Sequence, residues 1–258
     1  MPIINLPETI KIFWDLRKNG TYFPSEWENV LTIDEACQIQ LGILDQLVSG
    51  GSIQAGWKVG LTSKAIQDQF RVEEPLFGYI LEENFFQTET QFRFDDLILP
   101  GFENEICMTL GSDLIGPKVE IEEAAAAIAS IRPAMELIET RGPFTEQLAL
   151  AIADNIQQRG VILGPESQFT TSGLDLRSIH VDVSISGSQV AEGTGEAVLG
   201  HPINSLVWLA NKLADYGKQL RAGEIIMTGS LTRQFGISKG DTIKAKFTPI
   251  GEVSASFI

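Results

Sequence analysis

At 258 residues, with 43% hydrophobic and 21% charged side chains, the chain has the apolar content for a large core and reads as an ordinary globular protein. Nineteen basic against 34 acidic residues leave a net charge of −15, which argues against nucleic acid and anionic membrane surfaces as partners. No apolar run reaches bilayer-spanning length, and Met1–Glu8 lacks the basic-then-apolar pattern of a secretory leader. Two cysteines, Cys37 and Cys107, are too few for a disulfide framework and are expected as buried free thiols in a reducing cytoplasm.

In chain order, residues 8–18 form a short helix ending near Gly20, and Tyr22–Glu28, with Pro24, form an irregular connection. Thr32-Ile33-Asp34-Glu35 matches a capping box, and Ala36, Ile39, Ile43 and Leu47 follow at helical spacing until Gly50-Gly51. Residues 1–52 are therefore expected to be a small helical region, followed by a mixed, strand-rich domain over 53–258.

Gln54–Leu61 alternates as a strand with Trp57, Val59 and Leu61 on one face and Lys58, between Gly56 and Gly60, on the other. Glycines flanking a strand lysine suggest a close approach by another backbone or a ligand, although an edge-strand lysine that discourages aggregation gives the same pattern. A helix over Ser63–Phe70 and a strand over Pro75–Leu81 follow.

Gly101–Gly111 is the stretch that organises the chain. With a period of two it places Glu103, Glu105, Cys107 and Thr109 on one face and Phe102, Asn104, Ile106, Met108 and Leu110 on the other. Two ionised glutamates about 7 Å apart on one strand face repel unless water, a shared proton or a cation separates them. A solvated acidic face satisfies that condition, and so does a hard divalent ion, whose bound charge would also admit an anionic substrate. Downstream, Val119–Ile131 reads as an alanine-rich helix, and Pro133–Glu139 as a strand in which Glu136 lies between Met135 and Leu137. A charge in that setting is expensive without a partner, and service as a third ligand is the economical explanation.

Thr145–Gln158 reads as a helix with Gly160 just past its C-terminus. Val161–Gly164, His180–Ser186, Gln189–Leu199, Glu224–Gly229 and Asp241–Ile258 read as strands, with turns at Gly187-Ser188 and Pro249-Ile250-Gly251, and Pro202 opens a helix running to Tyr216. His180 is expected as a strand residue and His201 as a capping or structural one.

The motifs Gly56-Trp57-Lys58-Val59-Gly60-Leu61-Thr62-Ser63, Glu103-Asn104-Glu105-Ile106, Met135-Glu136-Leu137-Ile138, Ala153-Asp154-Asn155, Ala197-Val198-Leu199-Gly200-His201-Pro202 and Met227-Thr228-Gly229-Ser230 together carry a resemblance. In order and spacing the chain resembles the 2-hydroxypenta-2,4-dienoate hydratase and 4-oxalocrotonate decarboxylase family of the fumarylacetoacetate hydrolase superfamily. The resemblance implies an α+β fold, a mixed β-roll or sandwich with a small N-terminal helical region, and a cytoplasmic homo-oligomer. It implies Mg²⁺ or Mn²⁺ held by Glu103, Glu105 and Glu136, with Lys58 beside the reacting carbons. Thr228, Ser230, Asn155 and Ile106 are the implied substrate-binding residues.

The activity implied is that of a lyase of aromatic catabolism, which adds water to a 2-oxo or 2-hydroxy-dienoic acid or removes its carboxylate. The chain departs from the family pattern at Leu76, where an aspartate follows the proline, and at Glu196, where a small residue is usual. Leu76 cannot move a proton or orient water, so two alternatives stand beside the first: tautomerisation or decarboxylation of a smaller 2-oxo acid such as oxaloacetate, and binding of a 2-oxo acid without turnover. No histidine precedes residue 180, which argues against the histidine–glutamate water activation of the superfamily's C–C hydrolases.

Overall fold

The computed structural model describes residues 4–258; Met1–Ile3, part of the stretch read for a leader, lie outside the described residues. In chain order the elements are α1 (Leu6–Lys18), α2 (Ile33–Ser49), β1 (Gln54–Gly60), α3 (Lys64–Phe70), β2 (Leu76–Leu81), β3 (Phe85–Gln87), β4 (Thr90–Phe92) and β5 (Pro100–Leu110). After these come α4 (Ile121–Ala127), β6 (Ile128–Glu139), α5 (Leu148–Ala153), β7 (Gln158–Leu163), β8 (Ser167–Gln168), β9 (His180–Ile185) and β10 (Ser188–Thr194). The chain closes with α6 (Pro202–Ala214), β11 (Ile225–Ser230), β12 (Phe235–Gly236), β13 (Thr242–Thr248) and β14 (Gly251–Phe257).

Among the described residues the strands form two mixed sheets. The larger runs β2-β1-β11-β5-β6-β7-β3, with β12 paired to β5 and β8 to β6; the smaller runs β10-β9-β13-β14-β4. The β5–β6 hairpin is the spine of the larger sheet, in register from Pro100↔Glu139 to Leu110↔Ile128. Its Phe102, Ile106, Met108 and Leu110 enter the main apolar core, as the alternation predicts. The opposite face carries a smaller apolar cluster of Ile80, Cys107, Ala134, Val161, Leu163, Ile225 and Met227. That cluster seals one end of the face on which Glu103, Glu105 and Glu136 lie.

The capping box of α2 is formed: Glu35 N donates to Thr32 Oγ1, and Thr32 N donates to Glu35 Oε2. Phe13 of α1 and Ile39, Ile43 and Leu44 of α2 belong to the same apolar core as the sheets. Both cysteines are buried and free, and burial pushes their thiols up, to about 11 for Cys37 and about 12 for Cys107. No helix among the described residues is long and apolar enough to cross a membrane.

Several local expectations fail where tertiary pairing outweighs propensity. The alanine-rich helix stops at Ala127, because Ile128–Ile131 pair with β5. The helix expected over Thr145–Gln158 shrinks to Leu148–Ala153, and Gly160 is a strand residue opposite Leu137. A Cβ at Gly160 would lie 2.6 Å from the Phe86 ring, so that glycine serves packing and not a helix end. The strand expected to run to Leu199 ends at Thr194, and the short strands β3 and β4 were not anticipated.

Gly56 fulfils the expected close approach, since a Cβ there would fall 2.1 Å from the Ile225 carbonyl oxygen in the neighbouring strand β11. Gly56→Ala is therefore expected to destabilise the protein by about 1–3 kcal/mol in a denaturant titration, through forced separation of β1 and β11.

Candidate functional site

The β5–β6 register sets Glu103 directly opposite Glu136, and β11 sets Ser230 opposite Glu105. Like charges opposite one another across a ladder repel. Oxygens of Glu103, Glu105 and Glu136 nonetheless lie within 4.8 Å of one another. Glu105 and Glu136 are fully buried, and part-exposed Glu103 faces a 620 Å³ cavity.

Lys58 is 3% exposed, and its Nζ lies 2.8 Å from Glu136 Oε1. In sheet order β1 and β6 are three strand spacings apart, about 14 Å on a flat sheet. The two side chains reach toward one another over the intervening strands β11 and β5 to make this contact.

Backbone irregularities orient these groups. Gly229, at φ 108°, interrupts the β11–β5 register and points its N–H at Glu105, donating to Oε2 at 2.7 Å. A side chain there would strike Thr62. At Gly78, opposite Lys58, a Cβ would crowd both the lysine stem and Asn155 Oδ1.

Asn155, Ile156 and Gln157 are three consecutive left-handed residues, with φ of 57°, 52° and 58°, a conformation costing about 1–2 kcal/mol per residue. The turn is held by its own groups. Asn155 Oδ1 accepts from Tyr79 N and its Nδ2 donates to Tyr79 O, so the carboxamide pairs with the outer edge of β2 as a strand would. Gln157 Nε2 donates to Gly142 O. Arg141 donates to the carbonyls of Asp154 and Gln158 on either side and is ion-paired with Asp154 and Glu139. The result aims the Ile156 carbonyl at Lys58, whose Nζ donates to it at 3.4 Å.

The carboxylates are strongly perturbed. Burial, then the Glu136 charge, raise Glu103 from its ordinary 4.5 to about 7 against the opposing pull of Lys58. Burial and the neighbouring Glu136 and Glu103 hold Glu105 well above the ordinary range, opposed by the Gly229 N–H and Lys58. Burial likewise raises Glu136, opposed by Lys58. Three carboxylates against one ammonium leave two negative charges uncompensated, and Glu105 Oε1 is a buried acceptor with no hydrogen-bond partner. An all-oxygen donor set with that charge deficit and an orphaned acceptor fits a hard divalent cation of the Mg²⁺ or Mn²⁺ type. A second group, His180, Asp182 and Glu192, lies on the partly exposed β9–β10 hairpin and contributes nothing to the cavity.

The structure thus brings Lys58, Glu103, Glu105, Glu136 and Ser230 together. Ser230 lines the cavity, its Oγ donating to Asn104 O. The other expected substrate contacts stand behind the wall. Thr228 is buried and spends its hydroxyl on the Ile106 carbonyl, the Ile106 side chain is in the main core, and the Asn155 amide is committed to Tyr79. His201 Nδ1 accepts from Ile203 N and caps α6, as expected, and His180 is a half-buried strand residue beside Asp182. The cavity wall also contains Leu61, Phe70, Ile138, Phe144, Ile156, Leu231 and Arg233, which the sequence reading did not single out. Phe70 and Phe144 form a T-shaped pair with ring centroids 5.2 Å apart.

The family described as fumarylacetoacetate (FAA) hydrolase C-terminal matches residues 59–258. The chain belongs to this family. The FAA hydrolase-family chain is similar to a 2-oxo-hept-4-ene-1,7-dioate hydratase of Escherichia coli, with 35% identity and 88% of each chain covered. It is similar also to a 4-oxalocrotonate decarboxylase of Pseudomonas putida, with 34% identity over 88% of this chain and 86% of that one. A solved 4-oxalocrotonate decarboxylase from Pseudomonas putida G7, complexed with magnesium and adipate, superposes with a TM-score of 0.86 at 30% identity, covering 98% of this chain and 96% of that one. The β-roll with its N-terminal helices is the family architecture expected from the motifs.

Two measurements follow from the geometry. A carboxylate whose pKa is raised on folding binds more protons folded than unfolded, so the metal-free protein loses stability as pH climbs from the ordinary 4.5 through about 7. Thermal melts are expected to show the metal-free melting temperature falling across that window, with the stabilisation by added Mg²⁺ growing over the same range. Asn155→Ala is expected to cost about 1–3 kcal/mol in a denaturant titration, because it leaves the Tyr79 N–H and C=O unpaired.

Proposed function

We propose that this protein is a divalent-metal-dependent lyase acting on a 2-oxo or 2-hydroxy-dienoic acid. The observation that carries the reading is the convergence of Glu103, Glu105, Glu136 and Lys58 at one cavity. The similarity to hydratases and decarboxylases of such acids over most of the chain supports it. Glu103, Glu105 and Glu136 would hold Mg²⁺ or Mn²⁺, which when bound supplies Lewis-acid stabilisation of negative charge developing on the substrate oxygen next to its carboxylate.

The chain's own groups do the rest. Lys58 Nζ, held between Glu136 Oε1 and the Ile156 carbonyl, carries the proton exchanged when the dienol and the unsaturated ketone interconvert. Gly229 N–H fixes one oxygen of Glu105 and leaves the other free. Ser230 offers a hydroxyl to a substrate oxygen, while Thr228, Asn155 and Ile106 keep β11, the left-handed turn and β5 in place behind it. Phe70, Phe144, Ile138 and Leu231 cover the carbon chain and exclude water.

Between the two outcomes, loss of carboxylate is favoured over addition of water. Leu76, where the family pattern has an acid, is 5% exposed and packed into the apolar core. Among the described residues the one carboxylate on the cavity wall is Glu103, already part of the cation-binding set. Among the described residues no further acid lines the cavity to orient a water. Following the family resemblance, we take the protein to work as a homo-oligomer in the cytoplasm.

Chelation is expected to abolish turnover of 2-hydroxy-dienoates and Mg²⁺ to restore it. Glu105→Gln and Lys58→Ala are each expected to lower kcat/KM by at least about 100-fold. Activity that survives both chelation and Glu105→Gln rejects the assignment. Loss of the dienoate ultraviolet band with stoichiometric CO₂ release identifies the decarboxylase; loss without CO₂ identifies the hydratase.

A further inference from the structure

The family match covers residues 59–258, so α1 and α2 lie outside it, yet both grip the backbone that faces Lys58. Gln40 of α2 is fully buried, and its Nε2 donates to the Phe77 carbonyl of β2 at 3.0 Å and to the Ile152 carbonyl of α5 at 3.1 Å. One amide group thereby fastens the helix that leads into the left-handed turn to the strand that Asn155 of the turn holds.

Arg17 of α1 makes a second hold. Its guanidinium lies 2.9 Å from Asp154 Oδ1, while Asp154 Oδ2 takes Arg141 Nε at 2.6 Å. Asp154, its side chain 2% exposed, immediately precedes the turn, and burial pushes its carboxyl up against the opposing pull of Arg141 and Arg17. Two guanidiniums thus share one buried carboxylate, and loss of either leaves that charge poorly compensated. The Tyr22 ring lies against both, with its centroid 4.9 Å from Arg141 and 5.8 Å from Arg17. Phe23 packs so closely on Gly142 that a Cβ there would strike its ring, and the Gly142 carbonyl accepts from Gln157 at the far end of the turn.

These contacts converge on the turn that presents the Ile156 carbonyl to Lys58 Nζ. At 3.4 Å that hydrogen bond is long, so a small displacement of the turn decides whether it forms.

We propose that Arg17 is a positioning residue for Lys58: through Asp154 and Arg141 it braces the left-handed turn from outside the cavity and so sets where the Lys58 amine stands relative to a bound substrate. The proposal rests on the lyase reading for the role of Lys58 as proton carrier. Arg17 does not line the cavity, and the cation-binding acids stand on β5 and β6, away from the turn. Its loss therefore acts on the rate of proton transfer and leaves the binding of substrate and cation in place.

The test uses the full chain loaded with Mg²⁺. Arg17→Met is expected to lower kcat on 2-hydroxy-dienoates about tenfold, with KM and the calorimetric Mg²⁺ affinity each within about twofold of wild type. Arg17→Lys, which keeps the charge, should recover much of the loss. Phe13→Leu is the control, since it loosens the packing of α1 in the core without touching Asp154, and it is expected to leave kcat unchanged. Amide hydrogen exchange gives a readout independent of turnover. The Tyr79 N–H, held by Asn155 Oδ1, is expected to exchange about tenfold faster in Arg17→Met when referred to the amides of β5 in the same protein.

An Arg17→Met protein with kcat within about twofold of wild type overturns the proposal, as does an equal loss of kcat in Phe13→Leu or a Tyr79 amide that exchanges no faster relative to β5. If the wild-type protein turns over no dienoate, the lyase reading fails, while the Tyr79 exchange still decides whether Arg17 holds the turn.

Discussion

Three carboxylates are held in a desolvated pocket against a single ammonium, and much of the surrounding structure follows from the need to keep them there. Isolated buried charge is among the costliest features a fold can contain, and the pKa displacements of Glu103, Glu105 and Glu136 register that cost. The Lys58–Glu136 pair offsets part of it, and the Gly229 N–H offsets another part at Glu105. The remainder makes the site receptive to a divalent cation. The sheet beneath the pocket is packed on both faces, with Phe102, Ile106 and Met108 in the main core and Cys107, Ala134 and Met227 in the smaller cluster.

Strain is concentrated next to this charge. The left-handed turn at Asn155–Gln157 and the positive φ of Gly229 each place a backbone dipole where the site requires one, a carbonyl at Lys58 and an N–H at Glu105. The turn is maintained from outside the cavity by Arg141, itself paired with Asp154 and Glu139, and Asp154 is paired also with Arg17 of α1. The N-terminal helices are thereby linked to the geometry of the site through a chain of ion pairs as well as through shared apolar packing. Asn155, Thr228 and Ile106 illustrate the same division of labour: they belong to the functional motifs, yet their polar groups face the scaffold and not the cavity.

The cavity combines a polar floor, apolar walls and an arginine on the loop between β11 and β12. Such an arrangement suits a small conjugated acid whose charged end sits in the polar part and whose carbon chain lies along aromatic and aliphatic side chains. Leu76, where the family pattern has an acid, is packed in the core, while Glu103, Glu105 and Glu136 stand close enough together to hold a cation.

Period and local chemistry were enough to read the strand of Glu103 and Glu105, the anomalous burial of Glu136, the isolated Lys58 and the capped helix α2 from the sequence. Each of these depends on neighbours close in the chain. The pairing of Ile128–Ile131 with β5, the left-handed turn, the service of Gly160 to Phe86, the Arg141 network and the place of Arg233 depend on partners far away in sequence, and so were decided only by the tertiary structure. The meeting of Lys58 with Glu136 is the clearest case. Residue identity marks both as chemically active, but only the strand order of the folded sheet brings them, three strands apart, into an ion pair.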